Sequence, residues 1–153
     1  MQNEKLTWQQ IEEMITELET QIKQGTKTYN WIIGINRGGL VPSVLLSHRL
    51  GVPHGVHTVQ SYSGQEKREL KSDLYISMIG LISQSHNILI VDDISDSGES
   101  LHAAMKALRK IDPDARNVDV ATLHYKPKSK FKPTYFAKQI PNETWIMYPW
   151  EKY

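Results

Sequence analysis

At 153 residues the chain is long enough to bury one real core and too short for two, which predicts a single domain over 1–153. Hydrophobic residues make up 39% and charged residues 23%, and no run approaches the roughly eighteen apolar residues of a membrane span, so no span is expected. Eighteen basic against seventeen acidic residues leave a charge of +1, which excludes a broad field for nucleic acid, and the absence of cysteine excludes disulfides and thiolate chemistry.

Met1 to Lys5 has no basic stretch leading into an apolar core, so no secretory leader is visible and a cytoplasmic location is expected. Thr7-Trp8-Gln9-Gln10 has capping-box spacing, and Trp8, Ile11, Ile15, Leu18 and Ile22 recur at helical intervals up to Gly25. Trp31 to Ile35 is a continuous apolar run, as in a strand buried on both faces, and Val41 to Leu50 reads as a helix beyond Asn36-Arg37-Gly38-Gly39. The order then repeats, with a buried strand at Ile88 to Val91, a polar loop from Asp92 to Glu99 and a helix from Ser100 to Ile111. Two strand-loop-helix units imply a parallel α/β sheet. Weaker strand signals lie at Gly55 to Tyr62, Val118 to Tyr125 and Tyr135 to Ile140. Residues 63–72 read as a flexible loop, and the aromatic segment Thr144 to Trp150 should pack over the domain.

Ligands of such sheets bind beyond the carboxyl ends of the strands, where both polar loops must lie. In Asp92-Asp93-Ile94-Ser95-Asp96-Ser97-Gly98-Glu99-Ser100 a strand end delivers two carboxylates, then small residues lead into a helix N-terminus. Glycine permits close backbone approach, while N–H groups and the helix dipole favour a phosphate. Adjacent carboxylates ending an apolar strand are poorly explained by packing; one suits a ribose diol and the other a magnesium ion. No Gly-x-x-x-x-Gly-Lys-Ser/Thr loop and no Gly-x-Gly-x-x-Gly fingerprint is present. His54 and His57, three apart near a strand, point to opposite faces and form no metal pattern.

The stretch Ile88 to Ser100 resembles the signature of type I phosphoribosyltransferases, which bind 5-phosphoribosyl-1-pyrophosphate (PRPP). Arg37-Gly38-Gly39-Leu40-Val41-Pro42, Arg68-Glu69-Leu70-Lys71, Lys126-Pro127, Thr144-Trp145-Ile146 and Pro149-Trp150 are similar to segments of bacterial and archaeal xanthine-guanine or hypoxanthine phosphoribosyltransferases. That resemblance implies a type I phosphoribosyltransferase fold, with a central mostly parallel sheet flanked by helices and a small C-terminal hood over about 125–153. It implies transfer of the phosphoribosyl group to a 6-oxopurine (guanine, hypoxanthine or xanthine), with Mg2+ as cofactor and a homodimer or homotetramer as the assembly. Arg37, Gly38 and Gly39 would form the pyrophosphate loop, where the family uses a non-proline cis peptide. Arg68 would lie on the closing loop, Asp92 and Asp93 would meet ribose hydroxyls and metal, with Asp93 as the metal residue. Ile94, Ser95, Asp96, Ser97, Gly98, Glu99 and Ser100 would wrap the 5-phosphate. Asp96 would also handle the N7 proton as the catalytic residue, with Lys126 at the 6-oxo group, Trp145 stacked on the base and Ile146 offering backbone contacts. Judged alone, Lys126 reads as one of a solvated series with Lys128, Lys130 and Lys132, and Trp145 as core. Asn36, Ser97, Glu99 and Ser100 depart from the commoner family residues without removing a required group. A PRPP-binding regulator without transferase activity, or a transferase for another base, are the alternative readings.

Overall fold

The computed structural model describes residues 2–61, 70–74, 87–111 and 117–151. Its elements run β1 (Gln2–Lys5), α1 (Trp8–Gln24), β2 (Trp31–Asn36), α2 (Leu40–Leu50), β3 (His54–Ser61), β4 (Leu70–Leu74), β5 (Ile88–Ser95), α3 (Glu99–Ile111), β6 (Val118–Tyr125), β7 (Tyr135–Gln139) and β8 (Thr144–Met147). Thr7 caps α1 through the reciprocal pair with Gln10 that the sequence spacing predicts, and Gly25 ends the helix. Gly51, at φ 64°, closes α2 in the left-handed conformation that glycine adopts without a Cβ penalty.

The main sheet has the order β4-β3-β2-β5-β6-β7. Five of its strands are parallel, and β4 is an antiparallel edge. Because neighbouring strand residues face opposite sides, Ile32, Leu89, Val91, Ala121 and Leu123 join the α1 and α2 residues Ile11, Ile15, Leu18 and Leu46 in one core. Ile33, Ile35, Ile88, Ile90 and Val120 build the other core against Leu101, Ala104 and Leu108 of α3.

Three departures from the sequence reading bear on function. First, β5 continues through Asp92 and Asp93 to Ser95, because Asp92, Ile94 and Ser95 find register partners in Thr122, His124 and Tyr125 of β6; the polar loop shrinks to Asp96–Gly98. Second, β4 covers residues 70–72 of the expected flexible loop, pairing with β3, while residues 63–69, Arg68 among them, lie outside the described residues. Third, β1, unmarked by any sequence signal, pairs in parallel with β8 as a second, two-stranded sheet. That pairing lays the C-terminal aromatic segment over the domain, with Tyr148 stacked on Trp150 at 4.8 Å and Trp150 beside Trp8 at 5.9 Å.

Candidate active site

Beyond the carboxyl ends of β2 and β5 lies a cavity of about 960 Å³. Arg37, Gly38, Asp92, Asp93, Ser100 and Trp145 line it, together with Val59, Met147, Trp150 and Glu151. Parallel alignment of β2 and β5 brings their ends together, so two loops some 55 positions apart in sequence share one space. The Asn36–Arg37 peptide is cis, and Arg37 itself is exposed. Gly38 has no room for a side chain: a Cβ there would run into the carboxylate of Asp93. Gly39 is equally constrained, by the carbonyl of Val91 and the backbone of Ile35, so the turn into α2 lies directly on the acid-bearing strand.

Asp92 is 8% exposed, and its Oδ1 accepts from the backbone N–H of Asp93 at 2.9 Å. Burial, then the charge of Asp93, pushes the Asp92 carboxyl well above the usual range. Burial and the charge of Glu151 push Asp93 up to about 6. No ammonium or guanidinium pairs with either carboxylate among the described residues. Asp92 is buried and Asp93 half-buried, so the strand end carries negative charge without a counter-charge among the described residues. Behind it, Tyr148 Oη donates to the carbonyl of Asp93 at 3.0 Å, and His124 Nδ1 lies 2.8 Å from the same hydroxyl.

The loop after β5 is tied down from one side. Gly98 sits at φ 81°, and a Cβ would lie 2.7 Å from the amide nitrogen of Phe131. Ser95, almost fully buried, spends its hydroxyl on Ser129 Oγ and the Phe131 carbonyl at 2.8 and 2.7 Å, and Ile94 packs against the main core. The side chains of these two therefore face into the fold. Ser97 and Glu99 are exposed, and Ser97 Oγ accepts from the amide of Glu99 at 3.2 Å at the start of α3.

Asp96 meets two lysines. Lys126 Nζ is 3.1 Å from Oδ2 and Lys128 Nζ 2.9 Å from Oδ1. Lys126 is 3% exposed, so it is no member of a solvated series. Burial opposes a charge on Asp96, but hydrogen bonds from Lys128 and Lys126 outweigh it and hold the carboxyl below the usual range. Trp145 is 54% exposed at the cavity wall, against its reading as core, whereas the side chain of Ile146 is buried in the main core. Lys128, Tyr148 and Glu151 are not among the site residues expected from the sequence: Tyr148 reads there only as part of the aromatic segment Thr144 to Trp150 and Lys128 only as one of a solvated lysine series, while Glu151 carries no signal. His54, in contact with Ser43 Oγ at 2.8 Å, and the buried His57 stand on β3 as satisfied or enclosed residues.

A parallel sheet that brings a glycine turn, paired carboxylates and the start of a helix at Ser100 to one cavity beyond its carboxyl ends defines a ligand-binding α/β protein. The phosphoribosyl transferase domain model matches residues 1–152, and the chain belongs to that family. It is 32% identical over 151 residues to the xanthine-guanine phosphoribosyltransferase of Cereibacter sphaeroides, covering 95% of this chain and 85% of that protein. Among solved structures it is similar to the purine phosphoribosyltransferase of Pyrococcus horikoshii, with a TM-score of 0.87 and 32% identity over 100% of this chain and 97% of that one. The xanthine-guanine-hypoxanthine phosphoribosyltransferase of Helicobacter pylori superposes with a TM-score of 0.84 and 27% identity, over 97% and 94% of the two chains. The fold is thus the type I phosphoribosyltransferase fold, and the chain is a transferase of the PRPP-dependent kind.

Proposed function

We propose that this chain transfers the phosphoribosyl group of PRPP to N9 of a 6-oxopurine, giving a nucleoside monophosphate and pyrophosphate in purine salvage in the cytoplasm. The observation that carries the base class is the Asp96–Lys126 pair, one acceptor carboxylate and one donor ammonium 3.1 Å apart beside the loop after β5. A 6-oxopurine carries a donor at N7–H next to an acceptor at O6, the complementary pattern; adenine has an amine at that position, which a lysine repels. Exposed Trp145 supports the same reading as a stacking surface for the base.

In this reading N9 attacks the anomeric carbon as the bond to pyrophosphate breaks, and the bonding pair leaves with pyrophosphate. Asp96, held ionised by its lysines, takes the N7 proton. Arg37 and the amides of its loop meet the pyrophosphate, aided by Arg68, and the amides from Asp96 to Ser100 meet the 5-phosphate, with Gly98 letting the backbone approach. Arg68 and residues 63–69 would close over the site and exclude water, and the segment 125–153 would act as a hood over the base.

The acidic pair fits magnesium. Among the described residues no group of three His, Cys, Asp or Glu side chains forms a metal cage, and Mg2+ takes few carboxylates with the remainder from substrate oxygens and water. Asp93, with Asp92 beside it, would hold the ion, which when bound supplies positive charge to the departing pyrophosphate. Val44, 39% exposed on α2, offers apolar surface for a homodimer or homotetramer, which light scattering would measure.

The test is one assay: PRPP and Mg2+ with guanine, hypoxanthine, xanthine, adenine, orotate and uracil in turn, following nucleotide formation. Nucleotide from the 6-oxopurines is expected, with loss on chelation. Nucleotide from none of the bases would instead favour a PRPP-binding regulator.

A further inference from the structure

Asp96 carries two ammonium partners where one would neutralise it, and they hold different oxygens: Lys126 is on Oδ2 and Lys128 on Oδ1. Their surroundings differ. The side chain of Lys126 is 4% exposed and that of Lys128 is 49% exposed, so only the second reaches solvent. The position of Lys128 is nevertheless set by the fold. Its amide donates to Asn142 Oδ1 at 3.0 Å, and the strap around it is fixed to the loop after β5 by Lys126 N–H to Ser95 O and Lys130 N–H to Ser97 O, both 3.1 Å.

A carboxylate facing a single buried lysine can still turn about its Cβ–Cγ bond, which changes the direction in which its remaining lone pairs point. A second cation on the far oxygen removes that freedom. We propose that Lys128 is a positioning residue for the transfer reaction: its ion pair with Oδ1 fixes the rotation of the Asp96 carboxylate and so keeps a free lone pair of Oδ2 available to N7 of the incoming purine. Lys128 touches no reacting atom and acts through Asp96. This role rests on the purine-transfer reading and adds to it a residue outside the segments that carry the family resemblance.

Steady-state kinetics of wild type, Lys128→Met and Lys128→Arg separate the possibilities, first with purine varied at saturating PRPP and Mg2+, then with PRPP varied. Because a half-exposed ion pair is weak, Lys128→Met should lower kcat/KM for the purine about fivefold. The KM for PRPP and the melting temperature should stay at wild-type values, and Lys128→Arg, which keeps the charge and a donor, should recover most of the loss. An unchanged kcat/KM for purine in Lys128→Met overturns the role. So does a matching rise in the KM for PRPP, since that would make Lys128 a phosphate contact. A wild-type chain that forms no nucleotide from any purine overturns the underlying reading and this role with it, whereas an active wild type with an indifferent Lys128→Met overturns the role alone.

Discussion

Asp96 stands three residues beyond Asp93, yet the two carboxyls are pushed in opposite directions, and the causes are local. Asp96 gains Lys128 and Lys126, which outweigh its burial; at Asp93 burial and the nearby charge of Glu151 outweigh the hydrogen bonds its carboxyl accepts. Asp96 is therefore an ionised acceptor at neutral pH. Asparagine at that position offers no basic oxygen to the N7 proton, so Asp96→Asn should lower kcat by about 10²-fold while calorimetry shows unchanged PRPP affinity; a loss under about threefold would sink the role. Asp93, its carboxyl pushed up to about 6, becomes increasingly protonated as pH falls through that value, where a metal ion must displace the proton. Affinity for PRPP with Mg2+ should hold above pH 6 and fall by up to about tenfold per pH unit below it, as titration calorimetry would measure. A flat profile from pH 7 to 5 would remove Asp93 from metal binding.

The strap from Lys126 to Phe131 matters at the scale of elements, because it joins β6 to the loop between β5 and α3. Gly98 makes that junction possible: it combines φ 81° with contacts that leave no space for a Cβ, at 2.7 Å from Phe131 N and 2.8 Å from Ser129 Oγ. Gly98→Ala should cost about 1–3 kcal/mol in urea unfolding and raise the KM for PRPP, because the loop must shift away from its donors. Unchanged stability would mean that the strap yields freely. The sequence marked this loop by its glycine and small residues, but placed the strand end at Val91. The extension to Ser95 depends on β6 lying alongside with free backbone partners, which no local pattern reveals.

Across the whole molecule, β1 and β8 close the structure by tying the first described residues to the segment that bears Trp145. Leu6, just after β1 and 3% exposed, anchors this sheet in the main core. Leu6→Ala should cost about 2–4 kcal/mol and raise the KM for purine more than that for PRPP, since β8 carries Trp145, the proposed stacking surface for the base. Equal changes in both constants would show that the two-stranded sheet does not serve the base side. His124 links the same region to the acid strand through Tyr148, and burial, then the charge of Lys138, lowers it from 6.5 to about 4. A base with a folded pKa below its unfolded value adds stability that is complete above pH 6.5 and is lost as pH falls toward 4, amounting to about 3 kcal/mol. Asp93 has the opposite sign, its contribution fading as pH rises from 3.8 through about 6. Replacing His124 by asparagine should thus flatten the acid side of the melting-temperature profile between pH 6.5 and 4. Loss of stability at all pH values without that flattening would show that the fold does not lower the pKa of His124.

Periodicity and composition alone determined the layered α/β architecture: continuous apolar runs at Trp31–Ile35 and Ile88–Val91 can be buried only between helical layers, and the capping pair Thr7 and Gln10 starts a helix by local hydrogen bonds. The acidic pair and the small-residue turn were legible because such residues at a strand end have few other uses. Only tertiary structure decided that Lys126 is buried against Asp96, that Trp145 is exposed, that Lys128 and Glu151 join the site, and that β1 exists at all. Each of these depends on a partner far away in the chain, and a lysine or a short polar strand has the same local signal whether it meets that partner or water.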